Sequence, residues 1–263
     1  MEPSDYIVCH INIEITDNIR AIFDRWRELC DFFVDIYNID DYRGESDIKN
    51  DLAYSELNQF WGVFRIYVSD HYPEAHIIHE MLHAILRIEG YSRFRLDPKV
   101  FLLPREEFVA YKNYFDLLNK LSNELTNSID HIVINELIKK YKLDFQKLYD
   151  LQCQHEHKYL EIERVYNNEM EKVINNMKIA FGTLLYDGSL DEKCRHELLE
   201  ILKEKYSASY EYRCELVKVI DEYPPSNTIE YRILLLKILE EIKKIVGKEI
   251  EEYKGMLDLI VVE

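Results

Sequence analysis

The segment His79-Glu80-Met81-Leu82-His83 sets two imidazoles four residues apart, with a carboxylate directly after the first. On an α-helix, positions i and i+4 lie one turn apart on the same face. Two imidazoles so related can grip one Zn²⁺. The adjacent Glu then projects toward a water on the open side of the metal, where it serves as general base. The chemistry that His79, Glu80 and His83 can support is therefore hydrolysis of a carbonyl group by an activated water. A catalytic zinc of this kind takes three protein ligands and keeps a fourth position for water. One more ligand must come from another element.

These residues need a rigid helix. Pro73 suits its first turn and Gly90 its end. Between them, Ile77, Ile78, Met81, Leu82, Ile85, Leu86 and Ile88 form a broad apolar face, which predicts a buried helix over 73–89. His76, three residues before His79, points to the same side and either supports the ligands or lines the cleft. Upstream, residues 62–70 (GVFRIYVSD) are rich in β-branched and aromatic side chains and read as a strand. Strand, short turn and HExxH helix in this order resemble zincin-type metallopeptidases. The resemblance implies that residues 62–70 form the edge of a small sheet, to which an extended peptide substrate adds by strand pairing.

The third ligand is not close by. Six residues after His83 stands Glu89, with Leu86 where a short-spaced layout has Gly, and residues 84–96 hold neither His nor Asp. A later helix must supply it, and the best segment is 121–137 (LSNELTNSIDHIVINEL). His131 is its one imidazole. Glu124, Asp130 and Glu136 are carboxylate alternatives, and Asn127 and Asp130 stand where they can orient an imidazole. Helical geometry leaves the choice open. Glu136 shares a stripe with Leu125, Ile129, Ile132 and Val133, where a carboxylate is costly unless a metal compensates. His131 shares the more polar side with Glu124 and Asn127. The face that meets the cleft decides between them. Taken together, 74–91 (EAHIIHEMLHAILRIEGY) and 125–144 (LTNSIDHIVINELIKKYKLD) resemble a group of predicted bacterial HExxH metallopeptidases with a gluzincin-like layout, over roughly residues 60–145. That resemblance implies a zincin-like fold, a zinc-dependent hydrolase and His131 as third ligand. The ExxxD pattern of larger gluzincin families is absent between 90 and 145.

Composition bounds the rest. A net charge of −17 argues against nucleic acid or an anionic membrane as partner. No run reaches the ~18 apolar residues that span a bilayer. The N-terminus (MEPSDYIVCHINIE) has no basic region followed by an apolar run, so a cytoplasmic location is expected. Five scattered cysteines without CxxC spacing predict reduced thiols and no disulfide framework. Cys153, His155 and His157 gather metal-type side chains in a polar helical stretch and read as a solvated face.

The expected fold is α+β and mostly helical: a small zincin-like sheet with the HExxH helix, then a helical C-terminal region. Strands are predicted at 6–15 and 62–70. Helices are predicted at 17–37, 73–89, 105–127, 129–141, 144–182, 190–206, 208–221 and 227–258, with residues 38–51 as loop and 52–61 ambiguous. This divides the chain into a catalytic domain at 1–143 and a helical domain at 144–263. Ile229, Ile233, Leu236, Ile238 and Ile242 give the last helix an apolar face for an intramolecular bundle or a homodimer seam. The expected function is a cytoplasmic zinc metallopeptidase acting on a peptide or protein, with Tyr91, Arg93 and His76 as candidate donors to the developing oxyanion. The rival reading is a regulatory or defence-type interaction module on the same scaffold, binding one protein partner through its helical region. A purely helical protein with an accidental motif is the third, and metal analysis separates it from the others.

Overall fold

A computed structural model describes residues 6–42, 53–58, 60–70, 73–143, 145–162, 164–184, 192–249 and 257–263. The fold is α+β and mostly helical. It forms two compact units, Met1–Gly90 with Glu136–Asp150, and Tyr91–Asn135 with Leu151–Glu263.

The first unit contains β1 (Ile7–Cys9), α1 (Asp17–Leu29), β2 (Phe33–Asn38), β3 (Ala53–Asn58), β4 (Val63–Val68) and α2 (Pro73–Ile88). The sheet order is β1-β2-β4-β3. The first three strands are parallel and β3 runs antiparallel to β4. The register Val34↔Phe64 and Ile36↔Ile66 sets these buried side chains on one face with Val68. Trp26 of α1 stacks on Phe64 at 5.1 Å, and its Nε1 donates to the Phe32 carbonyl at 3.1 Å. Two polar ties hold α1 and α2 side by side in the same direction. Thr16, the α1 N-cap, donates to Glu74 Oε1 at 2.6 Å near the start of α2, and Arg25 pairs with Glu89 at 2.5 Å just past its end.

Two sequence expectations are corrected here. The predicted helix over 17–37 stops at Leu29, and residues 33–38 form the strand β2. Phe33, Val34, Ile36 and Tyr37 fit both periods, and parallel pairing with β1 on one flank and β4 on the other decides for the strand. β4 is not the edge of the sheet, because the ambiguous stretch forms β3 outside it. Ser55, Glu56 and Asn58 interrupt the apolar alternation of β3, as suits a strand with one unpaired flank. The β3–β4 turn depends on Gly62 at φ +62°, with the Phe32 ring 3.4 Å from where a Cβ would stand.

The second unit is helical apart from a short antiparallel pair, β5 (Phe94–Leu96) and β6 (Ile260–Val262), which the sequence did not announce. Residues 105–141 form one helix, α3 (Arg105–Tyr141), whose last residues belong to the first unit. Thr126 Oγ1 accepts from Phe94 N at 3.0 Å and donates to its carbonyl at 3.3 Å, so β5 is pinned to α3. The predicted helix 144–182 is two helices, α4 (Gln146–Glu161) and α5 (Glu169–Leu184). Asn168 caps the second by accepting from Glu171 N at 2.8 Å. Next come α6 (Glu192–Lys205), α7 (Ser207–Glu222) and α8 (Thr228–Glu249). Leu118, Leu121, Leu125 and Ile129 of α3 share a core with residues of α5, α7 and α8. On α8, Ile238 and Ile242 are buried in that core, while Ile229, Ile233 and Leu236 are exposed. The reduced-thiol expectation is also corrected, since Cys153 of α4 and Cys194 of α6 are joined as a disulfide, 41 residues apart in sequence. Two sparse cysteines brought together by the packing of two helices leave no spacing signature. No described helix is long and apolar enough to cross a membrane.

Candidate metal centre

The HExxH segment lies on α2, where the buried Ile77, Ile78, Met81, Leu82, Ile85 and Leu86 hold the helix in place. Gly90, at φ +87°, ends it in a conformation that costs other residues strain. His79 Nε2 and His83 Nε2 stand 3.2 Å apart. Two nitrogens on a tetrahedral zinc, each at ~2.0–2.1 Å from the metal, are about 3.3 Å from one another. The pair is thus already spaced as two zinc ligands require. His79 is buried and His83 half-buried.

His131 is buried on α3. Two imidazoles at the spacing of His79 and His83 supply two corners of a zinc tetrahedron and leave the other two for a third ligand and a water. Each carboxylate alternative has a partner of its own. Glu136 is exposed and pairs with Lys139 at 2.8 Å, so its assignment to an apolar stripe is corrected. The buried positions near it are Ile129, Ile134 and Ile138, with Ile132 and Val133 only partly covered, so the stripe runs differently from the one drawn through Ile132 and Val133. Glu124 is half-exposed and pairs with Lys178 at 3.5 Å. Asp130 is buried and accepts from the Tyr231 hydroxyl at 2.6 Å. Asn127, expected beside the imidazole, lies on the exposed side.

Glu80 is half-buried, and its Oε2 accepts a hydrogen bond from Ser55 Oγ at 2.6 Å. Ser55 lies on the edge strand β3, so that strand and the HExxH carboxylate are in direct contact. Sequence reasoning missed Ser55 because residues 52–61 carried no clear pattern. It also missed Tyr231, which reaches Asp130 from 101 residues away. Of the proposed oxyanion donors, His76 is buried in the first turns of α2. Tyr91 packs edge-on against the Tyr231 ring at 5.2 Å. Arg93 is exposed, and its backbone pairs with Glu263 at 2.8 and 3.0 Å. Arg95 lies on β5 and pairs with the Glu263 carboxylate. Comparison of the chain with family models, curated proteins and solved structures finds no match.

Proposed function

We propose that this chain is a zinc-dependent metallopeptidase, with His79, His83 and His131 holding the metal and Glu80 as general base. The observation that carries the reading is the HExxH group itself, with His79 Nε2 and His83 Nε2 3.2 Å apart and the Glu80 carboxylate held by Ser55 at 2.6 Å. Bound there, zinc supplies a Lewis acid for the scissile carbonyl and lowers the pKa of a water toward ~7. The protein's own part is positional. The buried face of α2 anchors the helix that carries His79 and His83, which supports a ligand pair set before substrate arrives. Glu80 takes the proton of the attacking water on a carboxylate oxygen and returns it to the departing amine. Ser55 Oγ holds Oε2 at 2.6 Å, which leaves Oε1 for that proton.

A peptide is the substrate class that the sheet favours. Among the described residues no strand pairs with the outer flank of β3, whose backbone groups are a template for an extended chain. The Ser55–Glu80 contact puts that template beside the base. The test is zinc analysis of protein purified without added metal or reductant, together with mass-spectrometric scoring of cleavage in a randomised peptide library. About one zinc per chain and cleavage that a chelator abolishes are expected. Less than about a tenth of an equivalent, with no uptake on titration, overturns the reading.

A further inference from the structure

A second group of metal-type donors lies wholly within the helical unit. Cys153 and His157 are four residues apart on α4 and therefore share a face. Cys194 stands in the first turn of α6. One ligand atom from each of the three lies within 4.8 Å of the others. A carboxylate stands beside the imidazole, outside this group of three. Glu197, three residues after Cys194 on the same side of α6, brings Oε2 to 3.8 Å from His157 Nε2. Each of two helices thus contributes two donors, at i,i+4 on α4 and i,i+3 on α6.

We propose that, with the two cysteines reduced, Cys153, His157, Cys194 and Glu197 form a second, structural zinc site that clips α4 to α6. The disulfide that joins the two sulfurs accounts for the cysteines but makes no use of the imidazole and carboxylate beside them. A zinc ion uses all four. Two thiolates, one imidazole and one carboxylate are a closed tetrahedral donor set with no position left for water, which separates this site from the open one on α2. The charges also suit. Zn²⁺ cancels the two thiolates, and the remaining carboxylate charge faces Lys193, whose Nζ is 3.7 Å from Glu197 Oε1. Binding releases the two thiol protons and forms two Zn–S bonds. Leu160, Ile179, Leu198 and Leu202 close the inner side of the group with a small apolar core. His157 and Glu197 are 27% and 49% exposed, so the outer side is open for the metal to enter. The sequence hid the site because Cys194 is far from the other cysteine. Cys153 with two nearby histidines looked like a solvated face, and the third ligand arrives only when α6 packs.

Cobalt distinguishes this site from the one on α2, which holds no sulfur. Full-length protein is reduced with a phosphine, its five thiols are counted, and metal is stripped with a chelator. Co²⁺ is then titrated in. A near-ultraviolet thiolate-to-cobalt charge-transfer band should rise to one equivalent, vanish on adding Zn²⁺, and be absent from protein oxidised beforehand. Cys153→Ser and Cys194→Ser should each abolish the band while leaving the zinc of the three-imidazole site in place. His157→Ala should weaken the cobalt affinity about a hundredfold. A fully reduced wild type with no such band overturns the proposal. So does a band that survives both cysteine substitutions, since it would then belong to Cys9, Cys30 or Cys214. A pair that stays oxidised under the phosphine overturns it as well.

Discussion

The reading of the α2 site is most exposed at His131, and replacing that residue with Ala tests it. Apparent zinc affinities of four-ligand structural sites amount to about 10–16 kcal/mol, or roughly 2.5–4 kcal/mol per ligand when shared evenly. At about 1.4 kcal/mol per decade, removing one imidazole weakens binding by about two to three decades. His83→Ala removes an equivalent ligand and should cost the same. Glu136→Gln is the counter-test. Its carboxylate is 70% exposed and paired on the helix surface with Lys139, so its loss should cost no more than about 0.5 kcal/mol of stability and leave the affinity unchanged. The assay is competition for zinc against a chromophoric chelator, with circular dichroism melts of the metal-free proteins to show that each variant folds. His131 is only 4% exposed, so its removal also opens a small cavity, and the melts of the metal-free forms separate that effect from ligand loss. A folded His131→Ala protein that binds zinc as tightly as wild type refutes the three-imidazole site. So does loss of zinc from Glu136→Gln, which would put the carboxylate in the site instead.

Other expectations follow from single contacts. Glu80→Gln should keep its zinc and lose about 10²–10⁴-fold in kcat/KM, measured on any peptide the wild type cleaves, because the carboxylate is the base and not a ligand. Ser55→Ala removes the 2.6 Å hydrogen bond to Glu80 and should lower kcat/KM by about one to two decades, with zinc content unchanged. Loss of metal in that variant would show that Ser55 supports the fold of α2 and not the aim of Glu80. Tyr231→Phe leaves the buried Asp130 carboxylate without its 2.6 Å donor and should cost about 1–3 kcal/mol in urea unfolding. Trp26→Ala empties the space between α1 and the sheet and should cost about 3–5 kcal/mol by the same measurement; a loss under about 1 kcal/mol would contradict the packing of Trp26 on Phe64.

The local features of this molecule were legible in the residues alone. Pro73, Gly90 and the apolar positions between them define α2, because capping and a helical apolar face are short-range properties. The spacing of His79, Glu80 and His83 on that helix follows from its pitch. The mostly helical α+β class followed from composition and pattern in the same way. What depends on partners distant in the chain was not legible. Residues 33–38 continue an amphipathic helical pattern, and only the flanking strands β1 and β4 make them a strand. Which strand forms the edge depends on where β3 pairs, and β3 carries the weak pattern that an edge permits. The face of α3 that bears His131 was undecidable from a helical wheel. A wheel ranks residues by apolarity, but burial depends on the surfaces that pack against each face. Packing leaves Glu136 in water and buries His131. The same holds for Cys153 and Cys194, whose meeting is a property of how α4 and α6 pack and of nothing in their spacing along the chain.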